Sequence, residues 1–176
     1  MRCFLALPLS DQTRVALCSL QRGLRVGRPV AKNNLHLTLA FLDDQPDEAL
    51  EYLHAELQAL QMPAFDLTLR GTGCFGGAAP RVVFAEAVVV PGLSKLHRAL
   101  RGAIHRAGLS LSKSRFQPHV TFARLKPYDA SGVAPFLQAH SQFHHENGPV
   151  KVFTLYQSDL RPEGVEYHAL AEYPLR

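Results

Sequence analysis

One short pattern constrains this chain more than any other, because it occurs twice: His-x-Thr, at His36/Thr38 and again at His119/Thr121. With nine His and six Thr in 176 residues, composition alone yields about 0.3 such matches. Both copies lie in runs with strand character, Asn34-Leu35-His36-Leu37-Thr38-Leu39 and Pro118-His119-Val120-Thr121-Phe122. In a strand, residues i and i+2 share a face. Each copy therefore sets an imidazole beside a hydroxyl on one surface. Alternation turns Leu35, Leu37, Leu39 and Phe41, or Val120 and Phe122, to a buried back. The competing reading is a pair of partly buried strand histidines, each satisfied by its neighbouring threonine.

The two copies occupy matching places in a longer echo. The first is followed by a helical pattern, then Phe65-Asp66-Leu67-Thr68-Leu69 and a further strand. The second is followed by a helical pattern, then Val152-Phe153-Thr154-Leu155 and a further strand. From motif His to later Thr is 32 residues in one case and 35 in the other. One strand–helix–hairpin plan used twice predicts two lobes related by an approximate twofold. Apolar runs predict strands at about 2–8, 34–42, 64–72, 81–90, 118–125, 150–160 and 165–172. Helical spacing predicts helices at about 11–22, 46–61, 93–107 and 131–140. Asp43, Asp44 and Pro46 mark the start of the second helix, and Asp47, Glu48 and Glu51 load its first turn with the charge that the helix dipole favours. Gly108 closes the third, and Arg161-Pro162-Glu163-Gly164 reads as a tight turn. Gly73–Pro80 and Gly108–Gln117 read as loops. Strands that do not alternate with long helices predict an α+β fold of antiparallel sheets, not a doubly wound parallel sheet.

Composition narrows the class. A chain with 47% hydrophobic residues is too apolar for disorder, and its length fits a single domain over residues 1–176. No apolar run approaches the roughly 20 residues of a membrane span, so no membrane partner is expected. Pro8 and Asp11 cut off the apolar start, which reads as a first strand, not a signal peptide. Three cysteines (Cys3, Cys18, Cys74) without a CxxC pair fit a reducing cytoplasm, not a disulfide scaffold. Net charge is +4, and the surplus is local: Lys95 to Lys126 holds eight basic residues and no Asp or Glu. Such a stretch attracts phosphates or forms a solvated helix face.

Two imidazoles facing one another across a cleft suit in-line displacement at phosphorus. One neutral ring deprotonates a water and one protonated ring hands a proton to the leaving oxygen. Two threonine hydroxyls, with a cation such as Arg124 or Lys126, meet the charge of the phosphate. Proton transfer takes the part of a Lewis acid, so the expected site has no metal and no cofactor.

On these residues the chain resembles the two-histidine (2H) phosphoesterases, and within them the RNA 2′,3′-cyclic phosphodiesterases, also called 2′-5′ RNA ligase-like proteins. The resemblance runs from Arg2-Cys3-Phe4-Leu5-Ala6-Leu7-Pro8 through both motifs, extended to Leu42 and to Arg124, to Leu155-Tyr156-Gln157-Ser158, Gly164 and Tyr167. It implies a LigT-like bilobal α+β fold, with two pseudo-symmetric antiparallel-sheet lobes and outer helices around a central cleft. It implies hydrolysis of 2′,3′-cyclic phosphate ends of RNA, or of nucleotides bearing that group, to 2′-phosphates, with weak 2′-5′ ligation in reverse. His36 and His119 are then catalytic, with His36 favoured as the acid and His119 as the base. Thr38, Thr121 and Arg124 bind the phosphate. A monomer is expected. A non-catalytic RNA or nucleotide-binding module, or an enzyme for another small cyclic phosphate, are the alternatives.

Two departures and one geometric difficulty stand out. Asp43 occupies a place where relatives commonly have Gly, which bears on the loop leaving the first motif strand. Phe84 stands where they often have Trp, read as packing apart from the chemistry. Strict alternation puts Arg124 opposite His119 and Thr121, so it reaches the phosphate only if the strand twists, bulges or ends near Ala123. Lys126 is equally out of phase. His140, His144 and His145 read as a solvated loop cluster without a full ligand set, and His97 and His105 as surface groups on a basic helix. Phe75 and Phe116 stack a base or, the favoured reading, pack in the core.

Overall fold

The computed structural model describes residues 1–162 and 164–176. In chain order the elements are β1 (Arg2–Pro8), α1 (Asp11–Gln21), β2 (Arg28–Pro29), β3 (His36–Asp44), α2 (Asp47–Gln58), β4 (Phe65–Phe75), β5 (Val82–Ala87), α3 (Pro91–Arg106), β6 (His119–Arg124), α4 (Val133–Ala139), β7 (His144–Val150), β8 (Val152–Arg161) and β9 (Gly164–Pro174). They form an α+β fold with two sheets, ordered β3-β1-β8-β9 and β2-β6-β5-β4-β7. Every pairing is antiparallel.

Local chemistry sets the helix ends. The Ser10 hydroxyl accepts from the Thr13 amide at 3.2 Å, capping α1. Asp47 and Glu48 fill the first turn of α2. Pro91 occupies the first turn of α3, where its missing N–H costs nothing. Helix α3 buries Leu93, Leu96, Leu100, Ala103 and Ile104, the spacing of one helical stripe, and Gly108 follows it at φ +78°. The backs of the motif strands, Leu35, Leu37, Leu39, Val120 and Phe122, join the same hydrophobic cluster as these α3 residues.

The echo exists in space, but its unit differs from the sequence reading. Each motif strand lies beside the strand that precedes it by one helix: β3 beside β1, and β6 beside β5. The hairpins that follow the motifs then leave for the opposite sheet. Strand β4 pairs with β5 in the sheet of the second motif, and β8 pairs with β1 in the sheet of the first. The orders β3-β1-β8-β9 and β6-β5-β4-β7 thus correspond strand for strand. Neither lobe is one contiguous copy, because each sheet is completed by chain from the other half. Pairing partners of such sequence separation are chosen by packing, and the strand pattern carries no label for them.

Two strands escaped the periodicity. Strand β7, from His144 to Val150, contains two His, Glu146, Asn147, Gly148 and Pro149. It is an edge strand, where polar residues and proline are tolerated. His144 and His145 therefore belong to a strand and not to a solvated loop, and His140 packs on Phe136 with ring centroids 4.5 Å apart. The two-residue β2 lies at the other edge of that sheet. Strand β4 also runs on through Phe75, so the expected Gly73–Pro80 loop starts later. The expected Arg161–Gly164 turn contains Glu163, which lies outside the described residues. Asp43 adopts φ +56°, a left-handed conformation that glycine takes at lower cost. It sits within β3, not in a loop after it.

Candidate active site

Both motif strands carry the same irregularity, three residues after the histidine. In β3 the partners of Leu5 and Ala6 are Ala40 and Thr38, so Leu39 is the extra residue of a bulge. In β6 the partners of Val83 and Phe84 are Ala123 and Thr121, so Phe122 is the extra residue. Burial records the break: Leu39-Ala40 and Phe122-Ala123 are consecutive buried pairs in strands that alternate up to that point. Past the bulge the phase reverses. Arg124, which strict alternation sends to the back, returns to the face of His119 and Thr121 and lines their cavity. Phe41 does the same in β3. The sequence reading placed it in the buried back, yet it is 65% exposed and lines the cavity. The residue five after each histidine therefore faces the cleft, a cation in one lobe and an aromatic ring in the other.

His36, Thr38, His119, Thr121 and Arg124 line one cavity of about 480 Å³. Gln21, Arg28, Asn34, Gly164 and Tyr167 contribute to its wall. Gln21 holds its floor together by donating to the carbonyls of both Val30 and Phe122 at 2.8 Å. Asn34 ties the β3 entrance to β9 by donating to the Val165 carbonyl at 2.8 Å.

The two imidazoles are oriented alike. Nδ1 of His36 donates to the Asn34 carbonyl and Nδ1 of His119 to the Gln117 carbonyl, each at 2.7 Å and each two residues upstream. A carbonyl only accepts, so Nδ1 holds a proton in both rings, and Nε2 is the atom free to gain or lose one. Nε2 of His36 lies 3.0 Å from the Thr38 hydroxyl, which donates to it in the neutral ring. Burial pushes the His36 pKa down to about 4, opposed by the Asn34 carbonyl and reinforced by the positive fields of Arg124, His119 and Arg14. His36 is thus neutral near pH 7 in the free protein.

Aromatic rings fix each imidazole from behind. His36 packs on Phe4 (centroids 4.8 Å apart) and meets Tyr167 edge-on at 5.2 Å. His119 packs on Phe84 at 5.0 Å and meets Phe75 edge-on at 4.9 Å. Phe84 pairs with Thr121 on the neighbouring strand, so it is not remote from the chemistry: it is the wall against which His119 rests. Phe75, expected in the core, is half-buried and packs instead on Phe84 and His119. Phe116 stacks on His97 at 3.7 Å and 7°, which makes His97 a half-buried packing partner and not a free surface group. Lys126 is exposed, sits over the Tyr128 ring and is absent from the cavity wall. Among the described residues, no three His, Cys, Asp or Glu side chains gather into a metal-binding group.

Phe41, Arg28, Asn34 and Gln21 are among the wall residues that the sequence reading missed. A signal existed for Phe41 alone, since it lies five residues after His36 as Arg124 lies five after His119. Arg28, Asn34 and Gln21 reach the cavity through long-range packing.

Antiparallel sheets that each present a His-x-Thr strand to one cleft define a two-histidine phosphoesterase fold and site. Residues 12–159 match the model of the 2′-5′ RNA ligase superfamily, and the chain belongs to that family. It is 38% identical to the RNA 2′,3′-cyclic phosphodiesterase of Thermus thermophilus, over 100% of this chain and 91% of that one. The enzyme of the same name from Escherichia coli is 34% identical over 85% of this chain and 80% of its own. In structure the chain resembles E. coli LigT in its apo form, with a TM-score of 0.80 and 31% identity, covering 99% of this chain and 96% of that one. Described residues include no helix long and apolar enough to cross a membrane.

Proposed function

We propose that this protein is an RNA 2′,3′-cyclic phosphodiesterase that hydrolyses the cyclic phosphate at an RNA 3′ end to a 2′-phosphate. The observation that carries the reading is the convergence of two Nε2 atoms, each set by a backbone carbonyl on Nδ1, on one cavity with Thr38, Thr121 and Arg124. The family and the names of its relatives support the same substrate class.

In this mechanism His119 takes a proton from a water whose oxygen attacks phosphorus. The P–O3′ bond breaks on the opposite side, and His36 gives a proton to O3′. Thr38, Thr121 and Arg124 hold the non-bridging oxygens as their charge grows. His36 is neutral in the free cleft, so its acid role requires the substrate's negative charge to raise its proton affinity on binding. A 5′-hydroxyl in place of water gives a 2′-5′ link, the reaction for which the family is named. Residues 1–176 act as a single bilobal unit and as a monomer. With three unpaired cysteines, one of them buried, the protein works in the reducing cytoplasm.

The test is incubation with 2′,3′-cyclic AMP in the presence of EDTA. The expected product is 2′-AMP, formed at an undiminished rate under chelation. His36→Ala and His119→Ala each lower kcat by about 10²–10⁴-fold with native circular dichroism. Tight nucleotide binding without turnover would make the protein a binding module instead.

A further inference from the structure

A second, smaller cavity of about 140 Å³ opens from the same point in the cleft. Thr38, Phe41 and His119 line both cavities, so the second is a continuation past the reacting groups. Its remaining wall comes from His97 and Arg101 on α3 and from Leu111, Ser112, Ser114, Arg115, Phe116 and Gln117 of the loop before β6, together with Leu39 and Ala40. This is the centre of the basic stretch Lys95–Lys126, which the mechanism leaves unused apart from His119, Thr121 and Arg124.

The groove is built to take an anion. Arg101 and Arg115 are exposed, and among the described residues neither lies within ion-pair distance of a carboxylate. Ser112 and Ser114 bring two hydroxyls, 3.2 Å apart. Glu86 accepts from the Gln117 amide at 3.4 Å but does not line the cavity. The face-to-face stack of Phe116 on His97 anchors the loop to α3 and so fixes where Arg115 and Gln117 stand. At about 140 Å³ against about 480 Å³ it is the smaller of the two spaces, and its arginines and hydroxyls suit a phosphodiester group.

We propose that this groove is a subsite for the phosphodiester immediately 5′ to the terminal nucleotide of an RNA, held by Arg101 and Arg115. The proposal rests on the cyclic-phosphate reading above and adds what that reading lacks, a reason to prefer an RNA end over a free nucleotide. With the cyclic phosphate between His36 and His119, the terminal nucleoside occupies the larger cavity and the chain leaves through the smaller one.

The experiment compares 2′,3′-cyclic AMP with the dinucleotide ApA ending in a 2′,3′-cyclic phosphate, on wild type and on the Arg101→Ala/Arg115→Ala double variant. Wild type is expected to favour the dinucleotide by about 10-fold in kcat/KM. That advantage should shrink by about 2–3-fold between 50 and 200 mM salt, as one added single-strand phosphate contact requires. The double variant should lose the advantage and keep its turnover of cyclic AMP. Equal use of both substrates by wild type, or an equal loss on both in the variant, overturns the subsite. Binding of ApA 2′-phosphate against 2′-AMP, read by calorimetry, tests the subsite without turnover. A failure to hydrolyse either substrate alongside tighter dinucleotide binding would sink the catalytic reading alone.

Discussion

Arg124 and His36 are coupled, and their coupling is the most informative property at the scale of single residues. The guanidinium lowers the proton affinity of His36 through space while lining the cavity proposed to take the phosphate. An anion bound between them reverses the sign of that field. Arg124→Ala is therefore expected to do two things. It raises KM for 2′,3′-cyclic AMP by about 10-fold or more, as the loss of a charge-assisted contact implies. It also moves the His36 titration upward from about 4. Both are measurable, the first by kinetics and the second by NMR of the imidazole C–H signals. In the native protein, adding 2′-AMP should raise the same titration. If it stays near 4 with the anion bound, His36 is the base and His119 the acid, and the assigned roles exchange.

At the scale of elements, the paired bulges in β3 and β6 decide what the cleft contains. One extra residue after each His-x-Thr reverses the phase of alternation, and this alone brings Arg124 and Phe41 to the front. A neighbouring strand supplies the support. On β4, Gly73 faces Phe84 so closely that an added Cβ would meet its ring at 2.7 Å, and Phe84 in turn backs His119. Gly73→Ala is thus expected to displace Phe84, costing about 1–3 kcal/mol of stability as overpacking does. It should also lower kcat by tilting His119, while His36 keeps its titration. Urea melts with parallel kinetics check this. A variant that lost stability but kept full kcat would separate Phe84 from the chemistry.

The whole molecule responds to pH through groups held neutral by burial. The His36 pKa falls from about 6.5 when exposed to about 4 in the fold. Between those values the unfolded chain binds the extra proton, so stability falls as pH drops from 6.5 to 4 and levels off below. On the alkaline side, burial pushes the Tyr173 phenol up to about 12 from 10. There the unfolded chain loses its proton first, and stability falls as pH rises between those values. Thermal melts across pH 4–8 should show the first slope, and His36→Gln should flatten it. Since each sheet draws strands from both halves of the chain, the melt should be a single transition by near- and far-ultraviolet circular dichroism. Most of this chemistry was legible in the residues themselves. The two His-x-Thr strands, the α+β class, the acidic first turn of α2, the Gly108 stop and the basic stretch follow from short-range rules of period, cap and charge that a linear chain displays. What waited for the tertiary structure was everything decided by partners far apart in sequence. That includes the exchange of hairpins between sheets, the polar edge strand β7, the bulges that turn Arg124 and Phe41 into the cleft, and the burial that neutralises His36. A pattern along one strand states which residues share a face; only its neighbours decide where that phase breaks and how much water remains around a given ring.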